Sequence, residues 1–130
     1  MKMNEPSRWE HVEATGHAEF DRLISTAQAV EVGHRAPKWL AHARVAIDVD
    51  VFDRFVEWDT EALRRHMIAL DERTRLEHVF DACGCAAFGA GGCFICKAVD
   101  ARGYSRQAQR HVLTITNYGR PTSPLWLIHG

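Results

Sequence analysis

The sequence predicts a single α+β domain with N-terminal helices, a small C-terminal antiparallel sheet and a zinc-stabilised loop between them. Its 130 residues match the length of one domain, and 46% hydrophobic with 25% charged residues is an ordinary globular composition. Apolar residues recur with the period of a helix early in the chain and with the period of a strand later. All four cysteines lie between residues 83 and 96.

The N-terminal part is expected to contain a flexible segment, residues 1–6, and then a long helix. Ser7 and Glu10 fit a capping box, in which a hydroxyl and a carboxylate satisfy free backbone amides at a helix start. The apolar residues that follow, as far as Val30, lie on one helical stripe that also contains Gly16. This pattern is compatible with one long helix or with a break near Thr15-Gly16. Gly33 and Pro37 are helix-ending residues, so we expect the helix to end by about residue 32.

The middle of the chain predicts one strand and one long helix. Residues 44–52 alternate between apolar and small or acidic side chains, which is the period of a strand. Asp59 can cap a helix that begins near Glu61 and continues to about Ala82. The apolar residues of this helix change face at its centre, so it either breaks there or is contacted from two sides.

The C-terminal part predicts a glycine-rich loop followed by three strands. Residues 84–92 contain four glycines and little bulk, and such a segment is costly to order. Phe94–Val99, His111–Asn117 and Leu125–His129 have strand character, and turn residues separate them. We therefore expect an antiparallel meander.

The clustered cysteines favour a structural zinc ion held by a metal-binding loop over residues 83–96. A C-x-C pair and a C-x-x-C pair would supply four thiolates in tetrahedral geometry, and a closed shell leaves no position for a catalytic water. Buried core thiols, a thiol redox pair and an iron–sulfur cluster are the alternatives. The predicted ligands are Cys83, Cys85, Cys93 and Cys96, with His78 or His111 as a replacement for one of them.

Two further patterns indicate metal chemistry of an enzymatic kind. His17-Ala18-Glu19 together with Cys93-Phe94-Ile95-Cys96 resembles the H-x-E and C-x-x-C pattern of zinc nucleobase deaminases. The resemblance implies zinc bound by the histidine and the cysteines, with the glutamate moving protons. This chain departs from the pattern in its long separation and in Gly92, where the family has proline. Asp48 and Asp50, on one predicted strand, could share a divalent cation.

Charge is distributed unevenly along the chain. Residues 1–82 carry 11 Lys/Arg and 16 Asp/Glu, a balance of −5, and residues 83–130 carry 5 and 1, a balance of +4. We favour the interpretation that the acidic and basic parts pair with each other within the domain. The alternative is that the basic part contacts a partner. The acidic stretch Asp48–Glu61 is a second candidate for partner contact. The predicted partner-binding residues of the basic part are Arg102, Tyr104, Arg106, Arg110 and Arg120.

These observations predict a non-enzymatic, zinc-stabilised interaction module that acts as a small regulator or inhibitor. Its partner is expected to be a protein, with nucleic acid as the second candidate through the basic C-terminal part. The excess of 13 arginines over 3 lysines favours a bacterial or phage origin. No apolar run is long enough for a membrane span or a signal peptide, so we expect a cytoplasmic protein with no membrane contact. The alternative is a zinc- or thiol-dependent enzyme, hydrolase- or deaminase-like or an oxidoreductase.

Overall fold

A mixed five-stranded sheet organises the fold. The computed structural model describes residues 8–37, 43–88 and 91–130. The predicted flexible segment 1–6 and the predicted cap at Ser7 lie outside them. Along the chain the elements are α1 (Arg8–Ser25), β1 (Ala29–Glu31), a 3-10 turn (Gly33–Arg35), β2 (Arg44–Asp48), α2 (Val49–Phe55), α3 (Thr60–His66), α4 (Glu72–Phe88), β3 (Gly92–Ala98), β4 (Gln109–Asn117) and β5 (Leu125–His129).

The prediction of an α+β fold is confirmed, and the sheet is larger than the sequence predicts. The strand order is β1-β2-β5-β4-β3. Strands β3, β4 and β5 form the predicted antiparallel meander. Strand β5 also pairs in parallel with β2, so the meander continues into the N-terminal strands. The C-terminal sheet is therefore one part of a sheet that spans the domain.

Helices pack against both faces of this sheet. On one face, α2 and α4 enclose the larger core, which contains Phe55 and Phe80 together with buried residues of β2, β3, β4 and β5. On the other face, Phe20 of α1 packs on Ala46 of β2 and Leu127 of β5. Successive residues of β2 and β5 point to opposite faces, and both faces are covered, which is why residues 45–47 and 125–128 are all apolar and buried.

Helix α1 ends earlier than predicted, because the chain turns back to form β1. Ala27 adopts a left-handed conformation with φ of 58°. The amide of Gln28 donates to the carbonyl of Leu23 at 2.9 Å, which closes the helix end. Val30, which the helical stripe included, lies instead in the three-residue strand β1. A strand this short leaves too little alternation to be recognised in the sequence.

The predicted strand 44–52 is wrong in its second half. The Asp48 carboxylate accepts a hydrogen bond from the amide of Asp50 at 2.9 Å and so caps the N-terminus of α2. The apolar residues Val51 and Phe55 then follow helical spacing and are buried. Asp48 and Asp50 therefore do not share one face of a strand, as the divalent-cation hypothesis requires.

The long helix predicted to begin near Glu61 breaks into α3 and α4. Met67 ends α3 in a left-handed conformation with φ of 58°. Asp71 precedes α4 and accepts hydrogen bonds from the amide and hydroxyl of Thr74 at 3.0 and 2.8 Å. These bonds, above all the one from the hydroxyl, lower the pKa of Asp71. The sequence predicted either this break or contact from two sides, and the break is what forms.

The segment predicted as a metal-binding loop, 83–96, has regular structure over most of its length. Helix α4 continues past Ala82 to Phe88, and β3 begins at Gly92. Cys83 and Ala87 are buried against the sheet. Their burial stabilises the last turns of α4 despite the weak helix propensity of the segment.

Candidate functional site

Strands β3 and β4 present an exposed face at one end of the sheet. Cross-strand pairs on this face are Cys93 with Thr114, Ile95 with Val112, and Lys97 with Arg110. The side chains between them, such as Phe94 and Leu113, point the other way into the core. Helix α1 covers this side of the sheet over β1, β2 and β5, and β3 and β4 extend beyond it. We call the following residues the open face: Cys93, Ile95, Lys97, Arg110, Val112 and Thr114.

The centre of the open face is apolar. Ile95 is 55% exposed and Val112 is 68% exposed, and the two lie directly opposite each other. Single exposed apolar residues are common on protein surfaces, whereas adjacent ones indicate a contact region. At one side of this pair, the thiol of Cys93 is 3.7 Å from the hydroxyl of Thr114.

The other side of the open face carries two cations. Lys97 and Arg110 are cross-strand partners and both are exposed. Among the side chains that the structure describes, in residues 16–37, 43–87 and 91–130, no acidic one forms an ion pair with either of them. Like charges directly opposite each other in a sheet are unfavourable. The open face therefore combines an apolar centre with unneutralised positive charge.

The four cysteines are divided between the core and the surface. Cys83 and Cys96 are buried, and Cys85 and Cys93 are exposed. Two residues along a helix are about 200° apart, so Cys83 and Cys85 point in nearly opposite directions from α4. Cys93 and Cys96, three apart on β3, point to opposite faces of the sheet. Both pairs are thus split by the element that carries them.

The two buried thiols are held in the protonated form. Burial raises the pKa of Cys83 to about 12, and its thiol donates to the carbonyl of Phe80 at 3.2 Å. Burial also raises the pKa of Cys96, against the opposing effect of the nearby Arg75 guanidinium. Neither thiol has the lowered pKa of a reactive cysteine.

The part of the chain that the structure describes contains no group of three or more His, Cys, Asp or Glu side chains placed to hold a metal ion. The predicted replacement ligands have other contacts: His78 donates to the carbonyl of Lys97 at 2.7 Å, and the ring of His111 lies 4.5 Å from that of Phe55. His17 and Glu19, of the deaminase-like pattern, pair with Asp21 and Arg22 on α1.

The predicted partner-binding residues do not form one surface. Arg110 belongs to the open face, and Arg120 lies in the turn at the opposite end of β4. Arg102 pairs with Asp53 at 2.8 Å, and the ring of the 89% exposed Tyr104 lies 5.6 Å from the Arg65 guanidinium. Arg106 lies between Tyr104 and Arg110 in the sequence and is exposed.

The acidic stretch Asp48–Glu61 contributes to a surface pocket of about 400 Å³ beside α3. Asp53 of this pocket pairs with Arg102, and it shares a hydrogen bond with Glu57 that raises the pKa of that carboxyl. The pairing of Asp53 with Arg102 is the internal neutralisation predicted from the charge distribution. Lys97 and Arg110 form no such ion pair with the acidic side chains that the structure describes.

Sequence reasoning identified Arg110 and Cys93 but missed the apolar part of the open face. The signal was present, because the predicted strands 94–99 and 111–117 have apolar residues on both faces. A meander strand with one covered face should be polar on the other. Ile95 and Val112 break that rule.

Comparisons of the chain with protein-family models, with curated proteins and with solved structures find no match. Among the described helices, none is long and apolar enough to cross a membrane.

Proposed function

We propose that this protein is a non-enzymatic interaction module that binds a partner protein through the open face. The observation that carries the proposal is the exposed cross-strand pair of Ile95 and Val112. Burying both side chains in a complex would remove apolar surface from water at about 25 cal/mol per Å². The rigid sheet beneath them presents this surface without an ordering cost.

The composition of the open face favours a protein over a nucleic acid. Surfaces that bind single strands combine cations with aromatic side chains on which bases stack. The open face has two cations and no aromatic residue. Branched aliphatic side chains such as Ile95 and Val112 complement apolar protein side chains instead.

Site-specific photo-crosslinking in the cells that make the protein tests this proposal. Val112→p-benzoylphenylalanine should give a discrete covalent adduct with another protein on irradiation, and the same probe at Ile95 should give an adduct of the same mass. Val49 is the matched control, because it is also an exposed valine, with 38% of its surface accessible, but lies at the start of α2. Adducts of equal yield at all three positions, or at none, would contradict the proposal.

Zinc binding by Cys83, Cys85, Cys93 and Cys96 remains a separate proposal. It is supported by the position of all four cysteines on the adjoining elements α4 and β3. Four-thiolate coordination requires both elements to rearrange, because Cys83 and Cys85 point apart in α4 and Cys93 and Cys96 point to opposite faces of β3.

Elemental analysis combined with thiol titration separates the two arrangements. One zinc per chain, with all four thiols protected until a chelator is added, would support the metal site. In the metal-free fold, Cys85 and Cys93 should react rapidly with a thiol reagent at pH 8. Cys83 and Cys96 should react only after unfolding. This second result would remove zinc from the proposed function and leave the open face unaffected.

A further inference from the structure

The unneutralised cations on the open face indicate which protein segment it binds. Lys97 and Arg110 lie opposite each other with no acidic partner in the described part of the chain. This arrangement is unfavourable in the isolated protein. A carboxylate placed between the two side chains would neutralise both and form charge-assisted hydrogen bonds with them.

A second copy that pairs symmetrically through β3 does not supply that carboxylate. Two copies that paired through β3 about a two-fold axis at Ile95 would place Cys93 of one chain opposite Lys97 of the other. The open face carries no acidic residue, so symmetric pairing leaves both cations unneutralised. Charge complementarity therefore favours a different, acidic partner.

Among the described strands, none pairs with the outer backbone edge of β3, which lies beside the open face. Strand β3 is the outer strand of the sheet and is seven residues long. Outer strands bind extended segments by continuing the sheet, with backbone hydrogen bonds giving affinity and alternate side chains giving specificity. The carbonyl of Lys97 already accepts from His78, so an added strand would pair along Gly92–Cys96.

We propose that the open face and the edge of β3 bind an extended protein segment in which an apolar and an acidic residue are two positions apart. On a strand added beside β3, the apolar side chain packs against Ile95, with Val112 next to it on β4. The acidic side chain lies beside Lys97, just past the paired segment, where the long Arg110 side chain can reach it across β3. Two positions is the spacing that places both side chains on the same face of an added strand. This inference rests on the proposed function, because it specifies the partner of the same surface.

Two synthetic peptides test the inference on the full chain. The first is Thr-Glu-Thr-Val-Thr-Val-Thr-Glu-Thr. Its sequence is a palindrome, so it presents the same order of side chains whether it binds parallel or antiparallel to β3. The second peptide has Lys in place of both Glu residues. Calorimetry should show the acidic peptide binding at least about tenfold more tightly than the basic one. Amide exchange should slow in β3 on binding and stay unchanged in β1, the opposite edge.

Charge reversal provides the decisive comparison. K97E together with R110E should invert the preference, so that the basic peptide binds more tightly. R64E together with R73E changes the net charge equally at side chains that are 73% and 81% exposed elsewhere, and it should keep the wild-type preference. Circular dichroism of both variants should show the wild-type fold.

Several outcomes would overturn this inference. They are equal binding of the two peptides, binding of neither, a preference that K97E with R110E does not change, tighter binding of oligothymidylate than of the acidic peptide, and dimerisation through β3. If any of these occurs while Ile95 and Val112 still crosslink to another protein in cells, the proposed function stands and only the chemistry of the partner is wrong.

Discussion

Arg75 is a charged residue that the fold buries, with 8% of its surface exposed. Its guanidinium donates to the backbone carbonyls of Arg54, Val56 and Val99 at 2.8 to 3.2 Å. It also lies over the ring of Trp58 at 4.8 Å. These contacts tie the end of α2 to the end of β3, and they satisfy carbonyls that regular secondary structure leaves free.

Replacing Arg75 by methionine should therefore destabilise the protein strongly. R75M retains apolar bulk but removes the donor to the carbonyls of Val56 and Val99, whereas the carbonyl of Arg54 keeps the amide of Ala101. We expect a loss of about 3 kcal/mol in the free energy of unfolding. Urea unfolding of the wild type and R75M measures this difference in the free energy of unfolding. R73M, at a side chain that is 81% exposed on the same helix, should change stability by less than about 0.5 kcal/mol. A loss below about 1 kcal/mol for R75M would show that water replaces the guanidinium.

The role of Arg75 was not predictable from the sequence. It lies in the run Asp71-Glu72-Arg73-Thr74-Arg75, which has the composition of a solvated helix face. Its three acceptors are distant in sequence, on α2, in the residue that follows α2, and at the end of β3. Only the packing of these elements brings the carbonyls together.

At the scale of elements, α1 packs unusually close to the turn between β4 and β5. A Cβ atom added at Gly16 would overlap the backbone oxygen of Tyr118. No rearrangement of a side chain can relieve that contact, because the obstacle is backbone. This close approach of the two backbones explains why a glycine occupies position 16 on the apolar stripe of α1.

Substituting alanine for Gly16 should destabilise the protein even though alanine is the better helix former. Helix propensity alone predicts a gain of about 1 kcal/mol. The displacement of α1 from the sheet should outweigh this gain and lower the free energy of unfolding by about 2 kcal/mol net. Thermal unfolding followed by circular dichroism measures the difference. As a control, Ala18→Gly at an exposed position of α1 should lower the free energy of unfolding by about 1 kcal/mol, because it changes helix propensity without creating a steric clash. A stabilised G16A protein would refute the close approach.

Element types were predictable where periodicity was long enough. The three C-terminal strands form close to the predicted ranges, because each has at least five residues with a consistent apolar pattern. The glycine-rich segment 84–92 was predicted as a loop, yet its first part, up to Phe88, is helical. There, the burial of Cys83 and Ala87 outweighs local propensity, an effect visible only in the packed structure.

At the scale of the whole molecule, both cores share the same strands. Val45 and Ile47 of β2 belong to the larger core, and Ala46 between them belongs to the smaller one under α1. Neither core can be lost without disrupting strands that the other requires. The domain should therefore unfold in a single cooperative step.

Two probes of unfolding test this cooperativity. One probe is tryptophan fluorescence, to which Trp126 of the larger core contributes, and the other is far-ultraviolet circular dichroism. Both should give the same urea midpoint. G16A should lower both midpoints equally, although it acts on the smaller core. Separate transitions, or a shift in only one signal, would mean that α1 and its core unfold independently.

By itself, the sequence determined the α+β class, the three C-terminal strands and the opposite polarity of the two parts, because periodicity and charge are local properties of the chain. Tertiary structure alone decided the parallel pairing of β2 with β5, the division of the cysteines between core and surface, and the exposure of Ile95 beside Val112. These features depend on which elements become neighbours. The free energy of burial that selects those neighbours is shared among residues far apart in sequence.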